Sequence, residues 1–130
     1  MKTDPKYRIY GYHAHVYFAG DSLEQARNLC ESAARLFHLR MGRMHERPVG
    51  PHPDWSCQLS FTPALFAEFV PWLALNRKGL VVFVHPVTGN ELLDHTDFAI
   101  WMGAIRQLDL SVLSSTDDRN ESAREFKDGD

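Results

Sequence analysis

Histidines occupy hydrophobic stretches of this chain, where several imidazoles could share one metal ion. The positions are His13 and His15 in YHAHVYF, His52 in GPHPDW, His85 in VVFVHP and His95 in GNELLDH. A neutral imidazole is the commonest metal ligand among side chains, and it also transfers protons near neutral pH. The residue types therefore predict a metal site, provided that these segments meet in space.

The first of these segments has the alternation of a β-strand over residues 8–18. It places Tyr12, Ala14, Val16 and Phe18 on one face and His13, His15 and Tyr17 on the other. The apolar face can pack on helices, because successive side chains of a strand point to opposite faces. On the other face two imidazoles are within reach of one ion. A lone histidine in such a strand is more often a hydrogen-bonded core residue, so the site depends on the other histidines.

Two helices are predicted to cover the apolar face. The first follows a capping-box match, S-L-E-Q, opens near Leu23 and is expected to stop at Gly42. The second begins with Thr62 as its N-cap and Pro63 as its first residue. Pro71 lies inside the second helical pattern, so we expect it to kink or split that helix.

The remaining patterns complete an alternating order of elements. They are strands over residues 43–48, 55–61 and 80–86, a short helix from Asp94 or Thr96 to Trp101, and an edge strand over residues 108–113. The order is β-α-β-β-α-β followed by a C-terminal addition. This order predicts an α+β fold, a ferredoxin-like two-layer sandwich.

In that topology we expect the first and third strands to be parallel neighbours, with the fourth strand antiparallel beside the first. His52 precedes the third strand and His85 ends the fourth, so both would approach His13 and His15. Four histidines from three distant segments are thus predicted to converge at one edge of the sheet. This convergence is stronger support for a site than any single motif.

Composition restricts the class of protein. The chain has 130 residues, of which 44% are hydrophobic and 24% charged, as in a globular domain. We predict one domain over residues 1–114 and an acidic, disordered tail over residues 115–130, which holds six acids and three bases. The rest of the chain has 11 acids and 11 bases, so its charge offers no reason to expect a nucleic-acid partner.

The sequence also predicts a cytoplasmic location and no membrane partner. No apolar run approaches the roughly 20 residues of a membrane helix, and the first residues lack the apolar core of a signal peptide. Cys30 and Cys57 lack the paired spacing of a metal motif. We interpret them as buried free thiols in a reducing compartment.

The ligand types leave several metals open. Imidazoles with an oxygen ligand suit Fe(II), Zn(II), Mn(II) or Ni(II), and a carboxylate with open positions would favour non-haem iron. The candidate carboxylates are Glu91, Asp94 and Asp54. His38 and His45 are left out of the predicted site.

Three segments of the chain resemble the DOPA 4,5-dioxygenase family, which opens aromatic rings. They are YHAHVYF, GPHPDWSCQLSF and VVFVHPVTGNELLDHTDFAIWMG, and the resemblance extends over about residues 8–105. The pattern H-P-x-T-G-x-E-x-x-D-H is the most specific part of it. This pattern is matched by His85, Pro86, Thr88, Gly89, Glu91, Asp94 and His95.

The resemblance implies extradiol cleavage, in which a small catechol such as DOPA is opened with O2 at a non-haem Fe(II) site. Zn(II) or another divalent ion could replace iron in a crystal. The implied metal ligands are three of the four residues His13, His15, His52 and His85, because a dioxygenase needs vacant positions. The implied acid–base group is His95, oriented by Asp94. The implied substrate contacts are Tyr17, Trp101 and Glu91.

Two other functions remain open at this point. One is a dimeric module that holds Zn(II) without turnover, and the other is a dimerisation fold with incidental histidines. Helices on one side of the sheet would leave the histidine side exposed, so a C-terminal segment or a second subunit should cover it. We predict a homodimer.

Overall fold

The computed structural model describes residues 7–126, which form a sheet around one central strand. The strands are β1 (Gly11–Phe18), β2 (Arg40–Met41), β3 (Trp55–Phe61), β4 (Val82–Val87) and β5 (Ile100–Met102). The helices are α1 (Leu23–Phe37), α2 (Phe66–Asn76), α3 (Glu91–Asp94) and α4 (Arg119–Glu125). Short 3-10 turns occur at Gly20–Ser22, Pro63–Leu65 and Leu110–Val112.

The five strands form one antiparallel sheet in the order β2-β3-β1-β4-β5. The predicted α+β, ferredoxin-like fold is confirmed. The predicted direction of the third strand is wrong, because β3 pairs antiparallel with β1, with Phe18 opposite Trp55. The physical reason lies in the connections. After β1, helix α1 carries the chain back along the sheet, so β2 runs in the same direction as β1. The loop between β2 and β3 then reverses the chain, and β3 pairs antiparallel with both strands.

The apolar face of the sheet packs under α1 and α2. In α1 the buried residues recur at helical spacing: Ala26, Leu29, Cys30 and Ala33. They meet inward-facing residues of the central strands, such as Val16 and Leu59, which are fully buried. Both cysteines are buried and free, as predicted.

Several element boundaries differ from the sequence-based prediction. Helix α1 ends at Phe37 rather than Gly42, because His38 takes the left-handed conformation with φ 56°. Helix α2 continues through Pro71 without being split. The second strand lies at Arg40–Met41 instead of residues 43–48, and His45 forms only an isolated bridge with Ser56.

The region after β4 also differs. Helix α3 is a single turn capped by Asn90, whose side chain accepts a 3.0 Å hydrogen bond from the Leu93 amide. Trp101, expected at the end of a helix, lies in β5 opposite Phe83. Residues 108–113 contain a 3-10 turn rather than an edge strand.

The structure places helix α4 within the acidic segment that the composition led us to expect to be disordered. The Asp118 side chain caps this helix by accepting from the Glu121 amide. Residues 127–130 of that segment lie outside the described residues. Over residues 7–126, we find no helix with the length and apolar character needed to span a bilayer.

Candidate metal centre

Three histidines meet on the face of the sheet opposite α1 and α2. His13, His15 and His85 each offer a ring nitrogen, and these nitrogens lie within 4.8 Å of one another. Strand pairing brings them together, because His13 and His85 are direct partners across β1 and β4 and His15 follows two residues later on the same face. The predicted approach of His85 to His13 and His15 is therefore present in the structure.

The spacing of two of these nitrogens fits one shared ion. The Nε2 atoms of His15 and His85 are 3.1 Å apart. Two nitrogens that each lie about 2.1 Å from one metal are separated by about 3.0–3.4 Å at octahedral to tetrahedral angles. The pair is therefore already at the separation that joint coordination requires.

Backbone carbonyls orient two of the imidazoles. The Nδ1–H of His85 donates to the Pro86 carbonyl at 2.8 Å, and the Nδ1–H of His95 donates to the Glu91 carbonyl at 2.7 Å. A neutral imidazole that donates from Nδ1 has its lone pair on Nε2. Such outer contacts commonly fix the tautomer of metal-binding histidines. Each of these two rings thus presents Nε2 as an acceptor or ligand atom.

His52 reaches the site by a different route from the one predicted. Since β3 begins opposite Phe18, the preceding loop must fold back along β1, and the His52 amide donates to the Val49 carbonyl at 3.0 Å. The His52 ring then lies 4.1 Å from the ring of His15 between centroids. Its Nδ1 is 2.7 Å from the Tyr17 hydroxyl. His52 is close to the centre but outside the set of three nitrogens.

Burial keeps these rings neutral. Desolvation lowers the pKa of His15 and of His85 well below the ordinary value, with neighbouring imidazoles as a further cause. It also lowers the pKa of His52 to about 4 and the pKa of His95. A metal binds the uncharged imidazole, and His15 and His85 already have that charge state at neutral pH.

Asp94 is buried, but it does not contact His95 in the way the resemblance implied. Its carboxylate accepts from the Thr88 amide at 3.0 Å and from the Thr88 hydroxyl at 2.6 Å. Burial raises its pKa against the opposing effect of these two bonds. Asp94 therefore holds the turn after β4, and the contact that orients His95 comes from the backbone of Glu91.

The histidines line a cavity of about 540 Å³ that opens to solvent. Six of the seven histidines line this cavity: His13, His15, His45, His52, His85 and His95. His45 is not among the predicted site residues, although its place beside the third strand could have suggested it. Glu125, whose Oε2 lies 2.6 Å from His13 Nε2, is also absent from the predicted site. The one available signal was Phe126, an aromatic residue in an otherwise polar tail.

The three predicted substrate contacts lie at different depths. Glu91 lines the cavity, and its Oε2 accepts from the Ser114 amide at 3.1 Å. Tyr17 is 3% exposed and contacts His52, and burial raises the pKa of its hydroxyl. Trp101 stacks on Phe83 with centroids 4.3 Å apart. Among the described residues that line the cavity, neither Tyr17 nor Trp101 occurs.

Comparison with known proteins shows what this chain is similar to. The model of the Dopa 4,5-dioxygenase family matches residues 12–112. A DOPA 4,5-dioxygenase from Amanita muscaria is 30% identical over 111 residues, covering 78% of this chain and 49% of that protein. An uncharacterized 21.2 kDa protein from Botryotinia fuckeliana is 44% identical over 111 residues, covering 76% of this chain and 61% of that protein. The chain thus spans about half to three fifths of these relatives.

A solved structure extends the likeness to the fold. The crystal structure of a proposed dioxygenase from Nostoc punctiforme PCC 73102 matches with a TM-score of 0.77 and 38% identity. The match covers 92% of this chain and 95% of that one. Together with the family match over most of the sheet and the histidine segments, this shows that the chain belongs to the Dopa 4,5-dioxygenase family.

Proposed function

We propose that this protein is an extradiol dioxygenase that opens the ring of a catechol, with His13, His15 and His85 holding a non-haem Fe(II). The observation that carries the proposal is the meeting of three imidazoles from two strands in one open cavity, in a chain of this family. Three protein ligands leave room at the metal for substrate and O2. Bound iron would supply electron density to O2 and hold both reactants together.

The cavity supports a small aromatic substrate. Its volume of about 540 Å³ lies in the range of small-molecule sites, roughly 300–1,000 Å³. Apolar side chains and imidazoles share its lining, which suits a ring with polar substituents. Glu91 is proposed as a direct substrate contact. Tyr17 and Trp101 are proposed to act through the rings they support, His52 and Phe83.

His95 is proposed as the acid–base group. Its Nδ1–H is committed to the Glu91 carbonyl, so Nε2 is the atom that would accept a proton from a catechol hydroxyl. Burial lowers its pKa, which keeps the ring neutral and able to act as a base. Asp94 would assist by holding the turn that carries His95.

A second function has one specific observation in its favour. Glu125 lies against His13, and three imidazoles with one carboxylate could fill the four positions of a closed Zn(II) site. Such a centre would bind metal without turnover.

Reconstitution separates the two functions. Metal-free protein is loaded anaerobically with Fe(II), then given DOPA or protocatechuate and O2. A yellow ring-opened product with matching oxygen uptake is the expected result. A four-ligand zinc centre with no oxygen uptake would contradict the dioxygenase and support the zinc module.

Two further predictions accompany this function. We propose a homodimer, because apolar side chains such as Ile105 (80% exposed) and Val112 (53% exposed) lie outside the core. Light scattering should then give twice the chain mass of 14.9 kDa, and a monomer mass would oppose it. The cytoplasmic location is supported by the two free, buried thiols.

A further inference from the structure

We propose that Glu125, on the C-terminal helix α4, is a positioning residue that holds His13 as a metal ligand. This inference rests on the proposed metal centre but concerns a residue outside the region matched by the family, residues 12–112. The Oε2 atom of Glu125 lies 2.6 Å from His13 Nε2, a distance short enough for a charge-assisted hydrogen bond. Across residues 7–126 it is the one carboxylate within 4 Å of an imidazole nitrogen.

The other candidate carboxylates have different partners. Asp94 accepts from Thr88, and Glu91 accepts from the Ser114 amide. Asp54 forms a two-bond pair with Arg106, with both distances 2.8 Å. The carboxylates that the sequence favoured are therefore occupied elsewhere, and the contact to the histidine cluster comes from the tail.

The contact determines which nitrogen of His13 would be available to bind a metal. A carboxylate only accepts hydrogen bonds, so Nε2 of His13 must carry the proton that it shares with Glu125. The lone pair of the neutral ring then lies on Nδ1. A metal ligand that donates its other N–H to a carboxylate is a recurring arrangement, because it fixes the ring and raises its basicity.

One end of α4 packs on the turn after β4 and the other on β1, so the position of Glu125 is built into the fold. At its start, the Asp118 amide donates to the carbonyl of Gly89, and a side chain on Gly89 would crowd the backbone of Arg119. At its end, the ring of Phe126 packs on Gly11, where a Cβ would overlap the ring. Glycine at both positions permits the helix to lie close to the sheet.

The guanidinium group of Arg40 also contacts Glu125. Arg40 Nη2 donates to the backbone carbonyl of Glu125 at 2.9 Å and lies 3.9 Å from its Oε2. Burial raises the pKa of Glu125, but the hydrogen bond with His13 and the charge of Arg40 outweigh that effect, so the pKa lies below its ordinary value. Glu125 is half-buried, with 28% of its side chain exposed, which limits access of water to the bond.

Metal affinity tests the proposal without relying on turnover. Metal-free wild type, Glu125→Ala, Glu125→Gln and Glu121→Gln are titrated anaerobically with Co(II), and binding is followed by its visible absorption. Loss of an outer carboxylate typically weakens metal binding by about 10–100-fold, which we expect for Glu125→Ala. Glu125→Gln should lie between wild type and Glu125→Ala, because its amide oxygen can accept the bond without the charge. Glu121→Gln removes the same charge from the same helix and should stay within about twofold of wild type.

The ring nitrogens of His13 give a readout that a purely structural role would not change. In metal-free wild type, ¹⁵N NMR should show the proton of His13 on Nε2, and Glu125→Ala should lose that preference while its melting temperature remains close to wild type. If Glu125→Ala does not fold, Glu125→Gln decides by the same two measurements. Equal Co(II) affinity of wild type and the Glu125 variants would overturn this inference alone. Absence of Co(II) binding by wild type would overturn the metal centre as well.

Discussion

The two faces of the sheet are built from the same strands, but one packs against helices and the other lines the cavity. In β1, Ala14 and Val16 point to α1 and α2 and are fully buried, whereas His13 and His15 point to the cavity. The helical face is closed by two long helices and apolar contacts. The histidine face is covered only in part, by loops and the short helix α4. The contrast shows how one strand, alternating every second residue, can separate stability from chemistry.

The helical face is covered more completely than the histidine face, and this difference matches what each face is proposed to do. Apolar packing on the helical face needs no access from solvent, while the proposed metal site must admit substrate. The histidine face therefore tolerates a cavity of about 540 Å³ that would be costly in the core. Changes on the two faces should consequently affect different measurements.

The largest effect is expected for His85→Ala. Loss of a proposed ligand should reduce ring-opening activity by at least about 10³-fold and lower the iron content, because positioning and electrostatic effects at the metal both disappear. Steady-state kinetics and metal analysis provide the measurement. His38→Asn is the matched control, since His38 is exposed and asparagine tolerates its left-handed backbone. Retention of iron and of near-normal turnover in His85→Ala would remove His85 from the centre.

His95→Gln should separate proton transfer from metal binding on the same face. We expect kcat to fall by about 10²–10⁴-fold, the usual contribution of an acid–base group, while Fe(II) affinity changes only a few-fold. The reason is that His95 lies outside the set of three nitrogens. A loss of metal equal to that in His85→Ala would instead make His95 a ligand.

On the helical face, Phe69→Ala should lower the free energy of unfolding by about 3–5 kcal/mol, because Phe69 is fully buried against Phe61 and Trp72. Urea denaturation measures this effect. Folded Phe69→Ala should still bind Co(II) within about twofold of wild type. Leu75→Ala, at a side chain that is 83% exposed, should change stability by no more than about 0.5 kcal/mol. A large change in metal affinity for Phe69→Ala would show that the faces are coupled.

The smallest effect is expected in the pH dependence of the metal-free protein. The pKa of His52 is lowered to about 4 in the folded state, so between pH 6.5 and 4 the unfolded chain binds a proton that the folded chain does not. Stability is then full above pH 6.5 and is lost as pH falls toward 4, by about 3 kcal/mol for this residue. Denaturation at pH 7, 5.5 and 4 should show a flatter profile for His52→Gln. Identical pH profiles of stability for wild type and His52→Gln would contradict the lowered pKa of His52.

Local pattern predicted much of the scaffold. The alternation in β1 and β3 and the helical spacing in α1 were correct, because each element buries one face and its sequence must follow that geometry. The direction of β3 could not be obtained in the same way. It depends on how the crossover and the following loop turn the chain, and a strand pattern looks the same in either direction.

The site shows the same division. His13, His15 and His85 could be proposed from their types and places in strands, and the structure brings them together. Glu125 could not, because it reaches the cavity through a contact between segments far apart in sequence. The Glu125 side chain meets His13 across 112 positions. No local pattern in an acidic tail indicates such a contact.

The sequence by itself determined the class of fold, the face that carries the histidines and the family to which the chain belongs. The first two follow from periodicity and residue type, which act over a few neighbouring residues. The family follows from the resemblance of the histidine segments and from the match over residues 12–112. Only the tertiary structure decided which three histidines bring their ring nitrogens within 4.8 Å of one another and which backbone carbonyls orient His85 and His95. It also decided that the tail returns to His13. Coordination and hydrogen bonding act over about 3 Å, and chain packing alone determines which distant atoms come that close.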